Sequence, residues 1–261
     1  MMADEELLYA VSDGIARVTF NRPQARNALT FAIYDRLAEI CERISDDRSI
    51  RVLLLTGAGG KAFAAGTDIS QFRAFETEDD AIGYEQRIDR VLDAVERCTV
   101  PTIAAIAGAC TGGGAAIAAA CDLRIADQKL RFGFPVARTL GNCLSMSNYA
   151  RLAVLLGPAR VKDIVFTARL IEADEARSIG LVSEIVADPG ALASRADELA
   201  RLVASNAPLT LRATKQALLR LRGRVPPEEG RDLILMCYMS RDFREGMDAF
   251  LNKRKPTWHG E

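Results

Sequence analysis

Residues 98–125 read CTVPTIAAIAGACTGGGAAIAAACDLRI and decide the fold. Pro101 has no N–H to donate to a sheet, so it predicts the start of a strand, and Thr102–Ile106 is the short apolar run of a buried strand. Glycines 112–114 follow, and the small side chains of residues 115–120 favour a closely packed helix. The glycines therefore stand where a strand turns into a helix. Free backbone N–H groups and the helix dipole predict an anion or oxyanion site there.

Composition indicates an ordinary globular chain of 261 residues, 49% of them apolar and 26% charged. The formal net charge is -1, so no nucleic-acid or membrane-surface partner is expected. The six cysteines show no CxxC spacing, which predicts reduced thiols and no zinc site. No apolar run reaches the roughly 18 residues of a membrane span, and no signal-peptide pattern is visible at the first residues. We expect a cytoplasmic protein.

Taken in order, the chain alternates strand and helix patterns. Apolar runs at residues 7–11 and 15–20 flank Ser12-Asp13-Gly14, which predicts an antiparallel hairpin. Further strands are predicted at residues 51–56 and 123–126, and helices at 33–44, after a Thr30 cap, and at 84–95. This alternation is typical of βαβ units with parallel strands.

From residue 148 the chain is predicted to be almost wholly helical. The last two helices, at residues 209–221 and 232–252, are more apolar and richer in Met than a solvated tail needs, which indicates burial between subunits. We therefore divide the chain into a core at residues 1–200 and a C-terminal helical trimerisation region at residues 201–261.

A second glycine-bearing loop, GAGGKAFAAGTD, spans residues 57–68. A phosphate-binding loop ending at Lys61 would need Gly at position 55 and Ser or Thr at position 62, where Leu55 and Ala62 stand. A dinucleotide fingerprint starting at Gly57 would also need Gly at position 62. Both nucleotide motifs fail, so composition alone makes this loop a surface turn.

The two glycine loops together resemble a known family. KAFAAGTDI at residues 61–69, with PTIAAIAGACTGGGAAIAAACDLRIA at 101–126, is similar to the crotonase superfamily of enoyl-CoA hydratases and isomerases. The resemblance continues through RNALT (26–30), FGFP (132–135), EADEARSIGLVSEIV (172–186) and REGMDAFLNKRKP (244–256). It implies an α/β fold, a spiral of ββα units with a C-terminal helical region, assembled as a homotrimer or a dimer of trimers. It also implies acyl-CoA substrates of the fatty-acid type, with coenzyme A as part of the substrate and no metal or redox cofactor.

The resemblance assigns roles to particular residues. In the family, two backbone N–H groups stabilise the negative charge that develops on a thioester oxygen, and the matching positions are Thr67 and Gly113. The positions that match contacts to coenzyme A are Ala28, Leu29, Ala64, Ala65, Asp68, Ile69, Phe250 and Lys253.

The acid–base positions depart from the family pattern. A hydratase of this family uses two glutamates, one shortly after the glycine triplet and one after FGxP, as general base and acid. Here Ala116 stands at the first position, and Val136 and Ala137 follow FGFP. Ordinary hydratase chemistry is therefore not expected. His259, the only histidine, is expected to be a tail residue and not a catalyst.

Candidate reactive groups remain near the acyl end, because relatives with other reactions place theirs in this region. They are Arg138, Asn142, Cys143 and Ser145. Arg138 could equally form an ion pair between subunits, Asn142 and Ser145 could cap helices, and Cys143 could be an inert core thiol.

Three functions stay open from sequence. The first is an acyl-CoA lyase or isomerase with non-standard acid and base groups. The second is a CoA-thioester hydrolase or another carbon-bond-cleaving member, with Asn142 or Ser145 positioning water. The third is a non-catalytic acyl-CoA-binding protein. A panel of enoyl-, hydroxyacyl- and malonyl-CoA esters would separate turnover from binding.

Overall fold

The computed structural model describes residues 6–221 and 231–257. Its strands are β1 (Leu7–Ser12), β2 (Ile15–Phe20), β3 (Val52–Gly57), β4 (Ala62–Ala65), β5 (Thr102–Ile106), β6 (Ala109–Thr111), β7 (Leu123–Asp127), β8 (Arg131–Gly133), β9 (Ile171–Glu172) and β10 (Glu184–Val186). Its helices are α1 (Phe31–Asp46), α2 (Glu78–Arg97), α3 (Gly113–Ala120), α4 (Val136–Thr139), α5 (Met146–Leu156), α6 (Pro158–Phe166), α7 (Ala173–Ser178), α8 (Pro189–Ser205), α9 (Pro208–Leu221), α10 (Arg231–Tyr238) and α11 (Arg241–Leu251).

The strands form two sheets. The larger has the order β1-β2-β3-β5-β7-β10, and the smaller has the order β4-β6-β8-β9. The predicted hairpin is confirmed, since β1 pairs antiparallel with β2. From β2 onward the larger sheet is parallel, as is the β4-β6-β8 part of the smaller one.

The repeating unit has two strands before each helix. Strands β3, β5 and β7 belong to the larger sheet, and each is followed by a short strand of the smaller sheet and then by a helix, namely α2, α3 or α4. The residue pattern predicted single strands between helices and missed the second ones. Those strands have only three or four residues, too few to show a period of two. The ββα units implied by the family resemblance are present.

Both faces of the larger sheet are buried. Leu53 and Leu55 of β3 pack into the main core with α1, α2 and α3. Val52 and Leu54 point the other way, into a second cluster that includes the apolar face of α8. When a parallel sheet is covered on both faces, its strands are continuous apolar runs in the sequence, and for this reason these strands were recognised from sequence. Helix α8 runs unbroken across residue 200.

The region from residue 148 onward, predicted to be almost wholly helical, also contains the short strands β9 and β10. The single helix predicted at residues 232–252 is two helices, because Ser240 interrupts the helix and caps α11, its Oγ accepting from the Phe243 N–H at 2.9 Å. None of the residues of α9 is buried. No helix in the described ranges is long and apolar enough to cross a membrane. His259 lies outside the described residues.

Candidate active site

A cavity of about 500 Å³ opens where the two glycine loops meet helices α2, α4, α5 and α11. Its wall is predominantly apolar and carries a few polar groups, which is typical of a ligand site. The lining residues used below are Ala28, Ala65, Thr67, Asp68, Ile69, Tyr84, Glu85, Gly113, Ala116, Val136, Asn142, Asn148 and Phe250.

The structure brings Thr67 and Gly113 together at this cavity. A Cβ atom built on Gly113 would lie 3.3 Å from the Thr67 Oγ1, and one on Gly112 would lie 3.4 Å from the Gly66 Cα. The two loops are therefore in contact, although 46 positions separate Thr67 from Gly113 in the sequence.

Both backbone N–H groups are available to a ligand. The Leu29 N–H donates to the Gly66 carbonyl, and the Leu29 carbonyl accepts from the Asp68 N–H. These two hydrogen bonds use the residues on either side of Thr67 and do not involve the Thr67 N–H. Gly113 is the first residue of α3, where the N–H has no partner within the helix. Among the described residues, neither group donates to a backbone carbonyl. Two neighbouring N–H donors, one of them at a helix N-terminus, can stabilise an oxyanion.

A buried chain of hydroxyls holds Thr67 in place. Its Oγ1 lies 2.8 Å from the Tyr34 phenol oxygen and 2.8 Å from the Tyr84 phenol oxygen. Burial raises the pKa of both phenols above their ordinary value, so both stay protonated near neutral pH. Sequence analysis missed these tyrosines as site residues because each fits the apolar face of its helix.

The positions matched to coenzyme A divide into two groups. Ala28, Ala65, Asp68, Ile69 and Phe250 line the cavity. Of the remaining three, Leu29 and Ala64 are fully buried beside it and Lys253 is exposed.

Asp68 is held in an ion pair. Its carboxylate lies 2.9 Å from the Arg22 Nη1 and accepts from the Ser70 N–H. Partial burial alone would raise the pKa of Asp68, but the hydrogen bonds from Ser70 and Arg22 outweigh it and hold that pKa below its ordinary value.

The acyl-end candidates occupy different environments. Arg138 is exposed on α4, outside the cavity lining. Ser145 caps α5 by accepting from the Asn148 N–H, and its hydroxyl donates to Asp89 at 2.6 Å. The capping alternative is therefore confirmed for Ser145. Cys143 hydrogen bonds to the Cys237 thiol, and this contact, with burial, raises the pKa of Cys143.

Asn142 borders the cavity and caps no helix. Its Nδ2 donates to the Tyr238 phenol oxygen at 3.0 Å. Its Oδ1, like the Oδ1 of Asn148, is buried and accepts no hydrogen bond from the described residues.

Sequence analysis also missed Glu85. It is 4% exposed on α2, lines the cavity, and accepts a 2.5 Å hydrogen bond from the Tyr238 phenol. Burial raises the pKa of Glu85 to about 8. One signal was present: position 85 falls in register with Ile88 and Leu92 on the buried face of the helix, where an acid is unusual.

The two positions that carry glutamate in a family hydratase face the cavity. Ala116 and Val136 both line it, whereas Ala137 is exposed. Within the described lining, the carboxyl groups are those of Asp68 and Glu85.

Comparison with known proteins finds relatives that are named as hydratases of CoA esters. The short-chain-enoyl-CoA hydratase of Clostridium acetobutylicum is 37% identical over 248 residues, covering 92% of each chain. The (E)-benzylidenesuccinyl-CoA hydratase of Thauera aromatica is 37% identical over 257 residues, covering 96% of this chain and 97% of that one.

Solved structures of enoyl-CoA hydratases and related proteins resemble the fold. The crystal structure of an enoyl-CoA hydratase/carnithine racemase from Magnetospirillum magneticum superposes with a TM-score of 0.79 at 35% identity, covering 99% of this chain and 97% of that one. Such neighbours confirm the crotonase-like α/β fold. The model of the enoyl-CoA hydratase/isomerase family matches residues 10–261. The chain therefore belongs to the enoyl-CoA hydratase/isomerase family.

Proposed function

We propose that this protein converts acyl-CoA thioesters through an enolate whose oxygen is held by the Thr67 and Gly113 N–H groups, as an isomerase or lyase and not as an efficient hydratase. The observation that carries the proposal is the contact between the two glycine loops at the wall of one predominantly apolar cavity, where neither the Thr67 N–H nor the Gly113 N–H donates to a backbone carbonyl of the described residues. Such donors stabilise charge that develops on a thioester oxygen when a proton leaves the neighbouring carbon.

Thioester hydrolysis has less support than the enolate reaction. The Ser145 hydroxyl is committed to Asp89 and to the cap of α5, and the Asn142 amide donates to Tyr238. Neither side chain has the free ionisable group that would activate a water molecule. In this proposal coenzyme A enters as part of the substrate, and no metal or redox cofactor takes part.

We also propose a trimer-based assembly in the cytoplasm. Helix α9 exposes Leu209 and Leu221 at 76% and 81%, an apolar surface that a second subunit would cover. The cytoplasmic location rests on the cysteine pattern of the sequence.

The test is exchange of the α-proton. The protein would be incubated in D₂O with saturated, 2-enoyl, 3-enoyl and malonyl CoA esters, and deuterium in the recovered ester measured by mass spectrometry. Gly113→Pro removes the N–H, and Gly113→Ala displaces it, because the added Cβ would lie 1.9 Å from the Tyr34 phenol oxygen. We expect exchange by the parent and a loss of at least 10²-fold in either variant. Binding of every ester without exchange would support a purely binding role.

A further inference from the structure

Glu85 is a buried acid in the wall of the cavity. Within the described ranges, no arginine or lysine pairs with it, although Arg151 nearby pairs with Asp89, Asp93 and Glu96 on the same helix. A glutamine could accept the Tyr238 hydrogen bond without the cost of burying an ionisable group. An acid retained under such conditions in a cavity wall is a candidate for chemistry.

Glu85 follows Tyr84, whose phenol hydrogen bonds to Thr67, and the ring of its own partner Tyr238 lies 6.1 Å from that of Tyr84 between centroids. Burial, and to a smaller extent the charge of Glu85, raises the pKa of Tyr34 and Tyr84, the two phenols that hydrogen bond to Thr67. Glu85 also shares the cavity wall with Gly113 and Ala116. A thioester oxygen between the two amides would therefore place the neighbouring carbon atoms within the region that Glu85 borders.

The other carboxyl of the described lining is unsuited to proton transfer. Asp68 is committed to Arg22 and Ser70, which hold its pKa below the ordinary value. A base is most effective when its pKa is near the working pH. Glu85 meets this condition, because burial raises its pKa to about 8.

We propose that Glu85 is the acid–base residue of this site and carries a proton from C2 to C4 of a 3-enoyl-CoA thioester, with Tyr238 as its positioning residue. This inference rests on the proposed function and adds the residue that moves the proton. Ionised Glu85 takes the C2 proton, the C2–H electron pair moves into the thioester, and the dienolate oxygen receives the Thr67 and Gly113 hydrogen bonds. The carbonyl then re-forms, C4 takes the proton from Glu85, and the double bond has moved from C3–C4 to C2–C3. Atoms and electrons balance without a co-reactant.

A single carboxyl suffices for this reaction but not for hydration. In the shift, the same group is base in the first step and acid in the second. Addition of water needs one group to activate the water and a second to protonate C2. With Ala116 and Val136 in the cavity wall, the second group is missing among the described lining residues.

Several titratable groups face Glu85 and set its pH response. The Tyr238 phenol and the Ser145 backbone hydrogen bond to the carboxylate and favour its ionised form, whereas Asp89 and Cys237 disfavour it. The charge of Glu85 in turn disfavours ionisation of Tyr34, Tyr84, Cys143, Tyr149 and Tyr238. Because burial raises the pKa of Glu85 to about 8, we expect the rate to rise near that pH. Loss of this rise in Glu85→Gln distinguishes Glu85 from the Cys237 thiol, whose pKa is lowered to about 7 by its hydrogen bond with Cys143.

The experiment follows conversion of a 3-enoyl-CoA to the 2-enoyl isomer by ultraviolet absorbance, with α-proton exchange in D₂O measured alongside. Glu85→Gln keeps the size and the hydrogen bond and removes the base, so both rates should fall by about 10²–10⁴-fold while the affinity for the ester is retained. Glu78→Gln, an exposed glutamate in the first turn of the same helix, is the matched control and should change neither rate. Retained affinity and a melting temperature no lower than that of the parent show that Glu85→Gln has folded.

The pH profile tests Tyr238 separately. Tyr238→Phe removes the hydrogen bond that favours the carboxylate, so the apparent pKa of the rate should move above that of the parent while the high-pH plateau is largely kept. A role only in packing would leave that apparent pKa unchanged.

Three outcomes separate the proposals. If Glu85→Gln isomerises the ester and exchanges the α-proton as fast as the parent, the proposed role of Glu85 is overturned. The proposed role of the Thr67 and Gly113 N–H groups is unaffected by that result. Exchange that depends on Glu85 without isomerisation overturns the 3-enoyl substrate class. An absence of exchange by the parent with every ester overturns the proposed function itself, and the inference with it.

Discussion

The phenol oxygen of Tyr34 occupies the space beside Gly113 where any other residue would carry its Cβ, the two positions being only 1.9 Å apart. Tyr34 is fully buried and hydrogen bonded to Thr67, so the phenol cannot swing aside. The glycine at position 113 is thus required by a side chain from α1, in addition to any requirement of the substrate.

Gly113→Ala should therefore displace the oxyanion donor and lower the rate of α-proton exchange by roughly 10²-fold, about the effect of losing one such hydrogen bond. Tyr34→Phe removes the obstructing oxygen. Combined with Gly113→Ala, it should restore part of the lost activity. Additive losses in the double variant would mean that the steric relationship does not control the site.

Two glycines of neighbouring helices should respond oppositely to alanine. A Cβ on Gly114 would lie 2.2 Å from the Ala64 carbonyl oxygen, a backbone atom, so Gly114→Ala should lower the free energy of unfolding by about 1–3 kcal/mol or more. Gly83 is exposed inside α2 with nothing within 4 Å of its Cβ position, so Gly83→Ala should raise that free energy by about 0.5–1 kcal/mol. Urea titration of both variants measures the difference, and equal effects would refute the packing argument.

Hydration of crotonyl-CoA should be slow. Each missing acid or base group lowers the rate by about 10²–10⁴-fold, and neither family glutamate position carries a carboxyl group here. Because Ala116 and Val136 face the cavity, the double change Ala116→Glu with Val136→Glu should raise the rate, followed as loss of ultraviolet absorbance. Turnover of the parent near 10³ s⁻¹, high in the usual enzyme range, would reveal an unrecognised base.

The raised pKa of Glu85 also makes stability depend on pH. Between the ordinary value of 4.5 and the folded value of about 8, the unfolded chain loses the Glu85 proton while the native chain keeps it. The free energy of unfolding is therefore not lowered by Glu85 below pH 4.5. It falls as the pH rises from 4.5 to about 8, and above about pH 8 Glu85 causes no further change.

Glu85→Gln should remove that slope, so the variant gains stability relative to the parent by a few kcal/mol between pH 5 and pH 8, given about 1.4 kcal/mol per pKa unit. Glu78→Gln again serves as the control. Parallel stability curves for parent and Glu85→Gln across this range would show that Glu85 is ionised normally in the folded protein.

Assembly can be tested through α9. Leu218 is 64% exposed on a helix none of whose residues is buried. We expect a trimer or hexamer mass in light scattering, and Leu218→Glu should weaken the assembly because a charge would enter an apolar interface. A monomer mass for the parent would contradict the assignment of this helix to a subunit interface.

The sequence by itself determined the elements with strong local signals. Buried parallel strands such as Thr102–Ile106 read as unbroken apolar runs, and Thr30, which caps α1, was recognised from its residue type and position. The two glycine loops sufficed to predict the family and the pairing of Thr67 with Gly113. In each case the information lies within a few consecutive residues, or in motifs that the family resemblance joins.

Tertiary structure alone decided what depends on distant partners. The short second strands exist only through pairing across the smaller sheet, and Ser240 divides the last predicted helix although the apolar pattern runs through it. In the sequence, Glu85 is one of several charged residues in a helix. Only the folded structure shows that it is buried against Tyr238, 153 positions away in the chain. Burial and pairing over such distances set the pKa of a carboxyl, and local sequence contains neither quantity.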